Sequence, residues 1–126
     1  MMTLPIWEDQ PHENSFDHAR DNLHEQGVRG QELDSCLEKL QTADVEIHRA
    51  GSLMDDLGLD PYREGHEAIR IHTLRLLGHG ADTTKLHPVL IVRKDNKLLL
   101  GAGGHHLRYA YWLDADVAVP CVIVPA

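Results

Sequence analysis

Between Pro88 and Val124 the chain reads Pro-Val-Leu-Ile-Val, then Lys-Asp-Asn, Leu-Leu-Leu and Gly-Ala-Gly-Gly, followed by a helical stretch and a Val-rich close. Val89-Leu90-Ile91-Val92 has no polar face to turn to water, so it predicts a strand covered on both sides. Lys94-Asp95-Asn96 predicts a hairpin turn, and Leu98-Leu99-Leu100 returns beside the first strand. The glycines lead into a helix expected from about His105 to Leu113, and Val117 to Val124 closes as another strand. Pro120 inside that strand predicts an edge position or a bulge, because proline has no N–H for a sheet ladder. This alternation requires an α/β (α+β) fold.

The upstream half has a different character. Residues 1–13 hold two prolines, three acids and Trp7, and they read as an extended arm in which Leu4, Ile6 and Trp7 can dock. A helix is expected from Asn14, capped by Asn14 or Ser15, with Phe16, Ala19 and Leu23 at helical spacing before Gly27. A second runs from Gln31 to Leu40, with Leu33, Cys36, Leu37 and Leu40 on one stripe. Val45-Glu46-Ile47-His48 alternates like a short strand. Asp60-Pro61-Tyr62-Arg63 predicts a turn, and Glu64 to Leu77 a helix ended by Gly78-His79-Gly80. The organisation expected is an acidic arm and helical hairpin over residues 1–41 and an α/β domain over 42–126.

Gly101-Ala102-Gly103-Gly104-His105-His106-Leu107-Arg108 carries the most chemistry. Glycines between a strand and a helix let the backbone approach a ligand, and the first N–H groups of the helix then favour an anion, most often phosphate. His105, His106 and Arg108 add donors at the same end. The spacing is neither a P-loop nor a dinucleotide fingerprint. A tight turn in which glycine serves packing is the competing reading.

In its order of elements, this C-terminal run resembles the ParB/sulfiredoxin superfamily over about Val45 to Val124. ParB-like N-terminal domains have a similar Pro-Ile-x-Val strand, a Gly-x-x-Arg turn and a Val-Pro strand after the helix. Asp60-Pro61-Tyr62-Arg63 is similar to their Asn-Pro-x-x-Pro-Arg region. The resemblance implies a small mixed sheet with flanking helices and a ligand site at Gly103, Gly104, His105, His106 and Arg108, with Arg63 contributing. In the sulfiredoxin version of the turn, Gly-Gly-Cys-His-Arg, His105 stands at the catalytic cysteine and Leu107 at the phosphate-binding arginine. The reductase needs a thiolate, which imidazole does not supply, so that activity is not expected. Some relatives, including a free-serine kinase and ParB-like nucleotide hydrolases, carry Gly-His-His-Arg. Arg108 lies one place beyond the expected arginine, about 100° further round a helix, and whether it swings back to the turn is left open. The resemblance implies Mg²⁺ with a nucleotide, CTP or ATP, as the ligand, and NTP hydrolysis or phosphoryl transfer as the accompanying chemistry. Glu64 is the candidate base by position; N-terminal helix stabilisation is its other role.

Charge narrows the partners. The 126 residues carry a net charge of −8. Residues 1–60 hold four basic and fourteen acidic side chains, net −10, and residues 61–126 hold eight and six, net +2. The acidity argues against direct DNA binding but not against one phosphate. No secretory signal is read at the N-terminus, and no apolar run approaches the ~20 residues of a membrane helix, so a cytoplasmic protein is expected. His12, His18 and His24 recur every six residues, which puts neighbours on nearly opposite helix faces. Nor do Cys36 and Cys121 make a zinc spacing, so no metal site is expected. Tyr109, Tyr111 and Trp112 are expected to anchor their helix to the sheet. The leading expectation is a domain that binds a nucleotide or another phosphate ligand. The alternative is a non-catalytic interaction module on the same fold, whose acidic hairpin binds a basic partner, mimics nucleic acid, or folds back over the phosphate site.

Overall fold

The computed structural model describes residues 6–60 and 85–126. In chain order the described elements are β1 (Ile6–Trp7), α1 (Glu13–Glu25), α2 (Gly30–Thr42), β2 (Glu46–Arg49) and α3 (Ala50–Leu57), then β3 (Lys85–Leu86), β4 (Val89–Lys94), β5 (Lys97–Ala102), α4 (Gly104–Leu113) and β6 (Ala118–Pro125). Four strands form one mixed sheet in the order β2-β6-β4-β5. β4 runs antiparallel to β5 and parallel to β6, and β2 runs antiparallel to β6. The Asp60–Arg63 turn beyond Asp60, the Glu64–Leu77 helix, Arg63 and Glu64 lie outside the described residues.

The apolar run of β4 explains the layering. Leu90 and Val92 join Val122 and Val124 of β6 and the stripes of α1 and α2 in one core cluster. Val89 and Ile91 point the other way, with Val119 and Cys121, against Ala50, Leu53 and Met54 of α3 and Leu107 and Ala110 of α4. Alternate residues therefore serve two cores, and helices cover both faces of the sheet. Leu33, Cys36, Leu37 and Leu40 are all buried, as their spacing requires. Each such leucine contributes roughly 2 kcal/mol of burial.

Local geometry agrees with the sequence at the hairpin. Asp95 and Asn96 both take left-handed φ, +52° and +64°, between paired Lys94 and Lys97. That is the two-residue turn whose twist matches the flanking strands.

Several expectations need correction. β6 lies inside the sheet, not at its edge. Pro120 is accommodated because pairing with β4 begins at Cys121, one residue later; on the other side it faces Ile47. The irregularity falls in β5 instead: Leu90 pairs with Ala102 and Ile91 with Leu100, which leaves Gly101 unmatched. A Cβ at Gly101 would lie 3.1 Å from the Leu90 carbonyl oxygen and 3.2 Å from Ala19 Cβ, so glycine lets α1 cross the strand closely. The cap of α1 is His12, whose Nδ1 accepts the Asn14 N–H at 3.0 Å, rather than Asn14 or Ser15. Helix α3 is an addition, with Ala50, Leu53, Met54 and Leu57 at i, i+3, i+4 and i+7 and a left-handed Gly58 ending it. The N-terminal arm docks as a strand, since Ile6–Trp7 pairs in parallel with Lys85–Leu86.

Candidate functional site

The glycine turn joins the bulged end of β5 to α4. Gly103 caps the helix with φ +92°, a backbone conformation that side-chain-bearing residues rarely take. Its absent Cβ would also lie 3.0 Å from the Cα of Val89. The first helical bond runs from the Leu107 N–H to the Gly103 carbonyl at 2.9 Å. The N–H groups of Gly104, His105 and His106 therefore precede the hydrogen-bond ladder, and the cap residue, a glycine, has no side chain to offer them. An electropositive helix end is left facing the turn.

Leu107 and Arg108 divide packing from chemistry. Leu107 is wholly buried in the core under the sheet, which is why an arginine there would have no route to the turn. Arg108 leans back along the helix, as long helical side chains do. Its Nη1 comes within 3.1 Å of where a Gly104 Cβ would stand. The side chain is 6% exposed, and its Nε donates to the Asp60 carbonyl at 3.3 Å. The guanidinium of Arg108 therefore lies beside the glycine turn.

Helix α1 supplies the facing wall. A cleft of about 460 Å³ is bounded by the Gly103–His106 turn and Arg108 on one side and by the first turns of α1 on the other. Asn14, His18 and Asn22 recur every fourth residue on that wall, so they share one face of α1. Asn22 donates to the Gly101 carbonyl at 2.7 Å and Gln26 to that of Leu100 at 2.8 Å, which fixes α1 along the edge of β5. Helix α1 of the acidic hairpin thus packs beside the glycine turn.

Five of the ten histidines line the cleft: His12, His18, His87, His105 and His106. Three of them lie in file with their rings tilted to one another, ring centroids being 4.8 Å apart for His12 and His87 and 5.6 Å for His87 and His106. Hydrogen bonds assign two tautomers. His106 Nδ1 accepts the His87 N–H at 2.9 Å, and His12 Nδ1 accepts from Asn14, so each neutral ring carries its proton on Nε2. The remaining ring edge is then a donor. Metal-ligating histidines show the reverse pattern, with the second nitrogen donating. Among the described residues no group of three His, Cys, Asp or Glu side chains is placed to hold a metal. Burial lowers the pKa of His106 to about 4, against an opposing contact with the His87 backbone and with smaller lowering effects of the His87 and His105 rings. Burial, then His12, lowers that of His87, against a smaller opposing effect of Glu8.

The structure thus brings together Gly103, Gly104, His105, His106 and Arg108, while Arg63 and Glu64 lie outside the described residues. His12, His18 and His87 are site residues that the sequence reading missed. Tyr109 is buried and Tyr111 packs on the core; neither they nor Trp112 line the cleft. Cys36 and Cys121 are buried on opposite faces of the sheet, and burial pushes both thiols up, Cys121 to about 12. Neither is placed or ionised for nucleophilic work at the turn. No helix among the described residues is long and apolar enough to cross a membrane. No family model, curated protein or solved structure matches the chain.

Proposed function

We propose that the cleft at the head of α4 binds a phosphate-bearing ligand, a nucleotide being the leading class. One observation carries the reading. In a chain with twenty acidic residues, the described lining contains five imidazoles, one arginine and no carboxylate. A charge distribution that keeps the described acids out of one concave surface favours an anion there. The N–H groups of the first turn of α4 point towards the cleft as directional donors, and the guanidinium of Arg108 gives a permanent charge beside them. About 460 Å³ is within the range of small-molecule sites. The likeness of the turn to that of ParB-like domains points the same way.

Binding is better supported than catalysis. The described lining holds no carboxylate and no thiol, so it supplies neither a carboxylate base nor a cysteine nucleophile. Nor does it fit a protein-held Mg²⁺, which takes oxygen ligands and at least one carboxylate. A Mg²⁺ ion entering here would arrive on the ligand's phosphates.

The test is calorimetric titration with pyrophosphate, ADP, ATP and CTP, each with and without Mg²⁺. Saturable binding at or below millimolar ligand, weakened by Gly104→Val, is expected. Absence of heat at millimolar concentrations of all four ligands would overturn the reading.

A further inference from the structure

We infer that the chain associates with a second copy of itself through the open edge of β2, which makes one continuous sheet across a two-fold axis. The two edges of the sheet are treated differently. At β5 the Gly101 carbonyl accepts from Asn22 of α1 and the Leu100 carbonyl from Gln26, which caps that helix, so the last turns of α1 engage that strand. At β2, Glu46–Arg49 pairs with β6 on one side only, and among the described residues no strand pairs with the other side. A short, charged strand is one way a protein keeps an edge solitary. Ile47 does not suit that purpose. It is 64% exposed and is the one large apolar side chain so exposed among the described residues.

The sequence of β2 is complementary to itself in one register. A two-fold axis normal to the sheet keeps each residue on its own face, so an antiparallel self-pairing must centre on a single residue. Centring on Glu46 sets two carboxylates against each other, which is unfavourable. Centring on His48 places Ile47 opposite Arg49 of the second copy and Glu46 opposite Ala50, where α3 has already begun. Centring on Ile47 packs the two isoleucines together and sets each Glu46 opposite the other copy's His48. That register removes the exposed apolar surface and pairs a carboxylate with an imidazole twice. The occupant it selects is a second copy of this chain.

An edge of four residues is at the small end of protein interfaces, so the dimer is weak, with a Kd on the order of 100 µM. Sedimentation velocity and light scattering from 10 µM to 1 mM are the measurement, with far-UV circular dichroism to verify folding. Ile47→Lys, Glu46→Lys and His48→Glu should each weaken dimerisation by about tenfold, since each change acts twice across the axis. The double variant Glu46→Lys/His48→Glu restores opposite charges and should return the affinity to near that of the parent. A parent that stays monomeric at 1 mM overturns the inference and leaves the edge to a strand of some other protein. A dimer indifferent to these substitutions overturns it too, by placing the contact elsewhere.

Discussion

Gly104 and Arg108 occupy the same turn-to-turn position on α4, and the glycine's missing Cβ is what the guanidinium uses. A methyl group at 104 would stand 3.1 Å from Arg108 Nη1 and 2.9 Å from Leu100 Cδ2. The head of the helix thus combines a bare backbone with a buried positive charge one turn below it.

Gly104→Ala tests that relationship. Its φ is not left-handed and both crowded atoms end flexible side chains, so the fold should survive. The guanidinium must move, and pyrophosphate affinity by calorimetry is expected to fall about tenfold. Unchanged affinity with unchanged urea stability would remove Arg108 from the site.

Gly103→Ala should act on stability instead. The φ of +92° and the 3.0 Å approach to the Val89 backbone leave no cheap relaxation. A loss of about 2–3 kcal/mol in urea unfolding is expected.

At His12 the cap and the cleft can be separated. His12→Ala should cost about 1 kcal/mol, and His12→Ser or His12→Asp should recover most of it. Asp, however, brings a carboxylate into a lining that has none among the described residues. His12→Asp should therefore weaken anion binding more than His12→Ser at similar stability, read by calorimetry beside urea melts.

The burial of His106 predicts acid sensitivity. Its folded pKa of about 4 lies below the unfolded value near 6.5, so the unfolded chain binds the proton more readily. Stability from this group is complete above pH 6.5 and declines as pH falls towards 4, by up to roughly 3 kcal/mol. Asn at 106 keeps an acceptor near the Nδ1 position for the His87 N–H without titrating. The pH dependence of urea stability should be shallower in His106→Asn between pH 6.5 and 4; an identical slope would locate the titration elsewhere.

Removal of residues 1–41 takes away α1 and α2 and uncovers Leu90, Val92, Val122 and Val124 on one face of the sheet. The truncated chain should lose cooperative unfolding and aggregate. A soluble, cooperatively melting product would show that the remaining layers suffice.

Signals that depend on neighbours in the chain are legible without coordinates. The run of Val89–Val92 predicts a strand buried on both faces, the Leu33–Leu40 stripe predicts a buried helix face, and Asp95-Asn96 predicts the hairpin turn. Each rests on backbone periodicity or on φ preference, which the local sequence sets. The glycine turn with its histidines is legible for the same reason. Even so, α3 has a clear i, i+3, i+4, i+7 pattern that eight residues between louder features obscure.

The rest of the site depends on contacts between distant residues. Asn14, His18 and Asn22 form a polar stripe that on an isolated helix would simply face water. It becomes one wall of a cleft because Asn22 reaches Gly101, 79 residues away, and Ala19 fits against the bulge there. His87 precedes a proline in a linker and acquires a role only by lying between His12 and His106. Sequence periodicity specifies which face of an element is apolar, and therefore that the acidic helices must pack on something. Which element meets that face, and which polar side chains converge where they meet, follows from the packing of distant surfaces, and no local pattern encodes it.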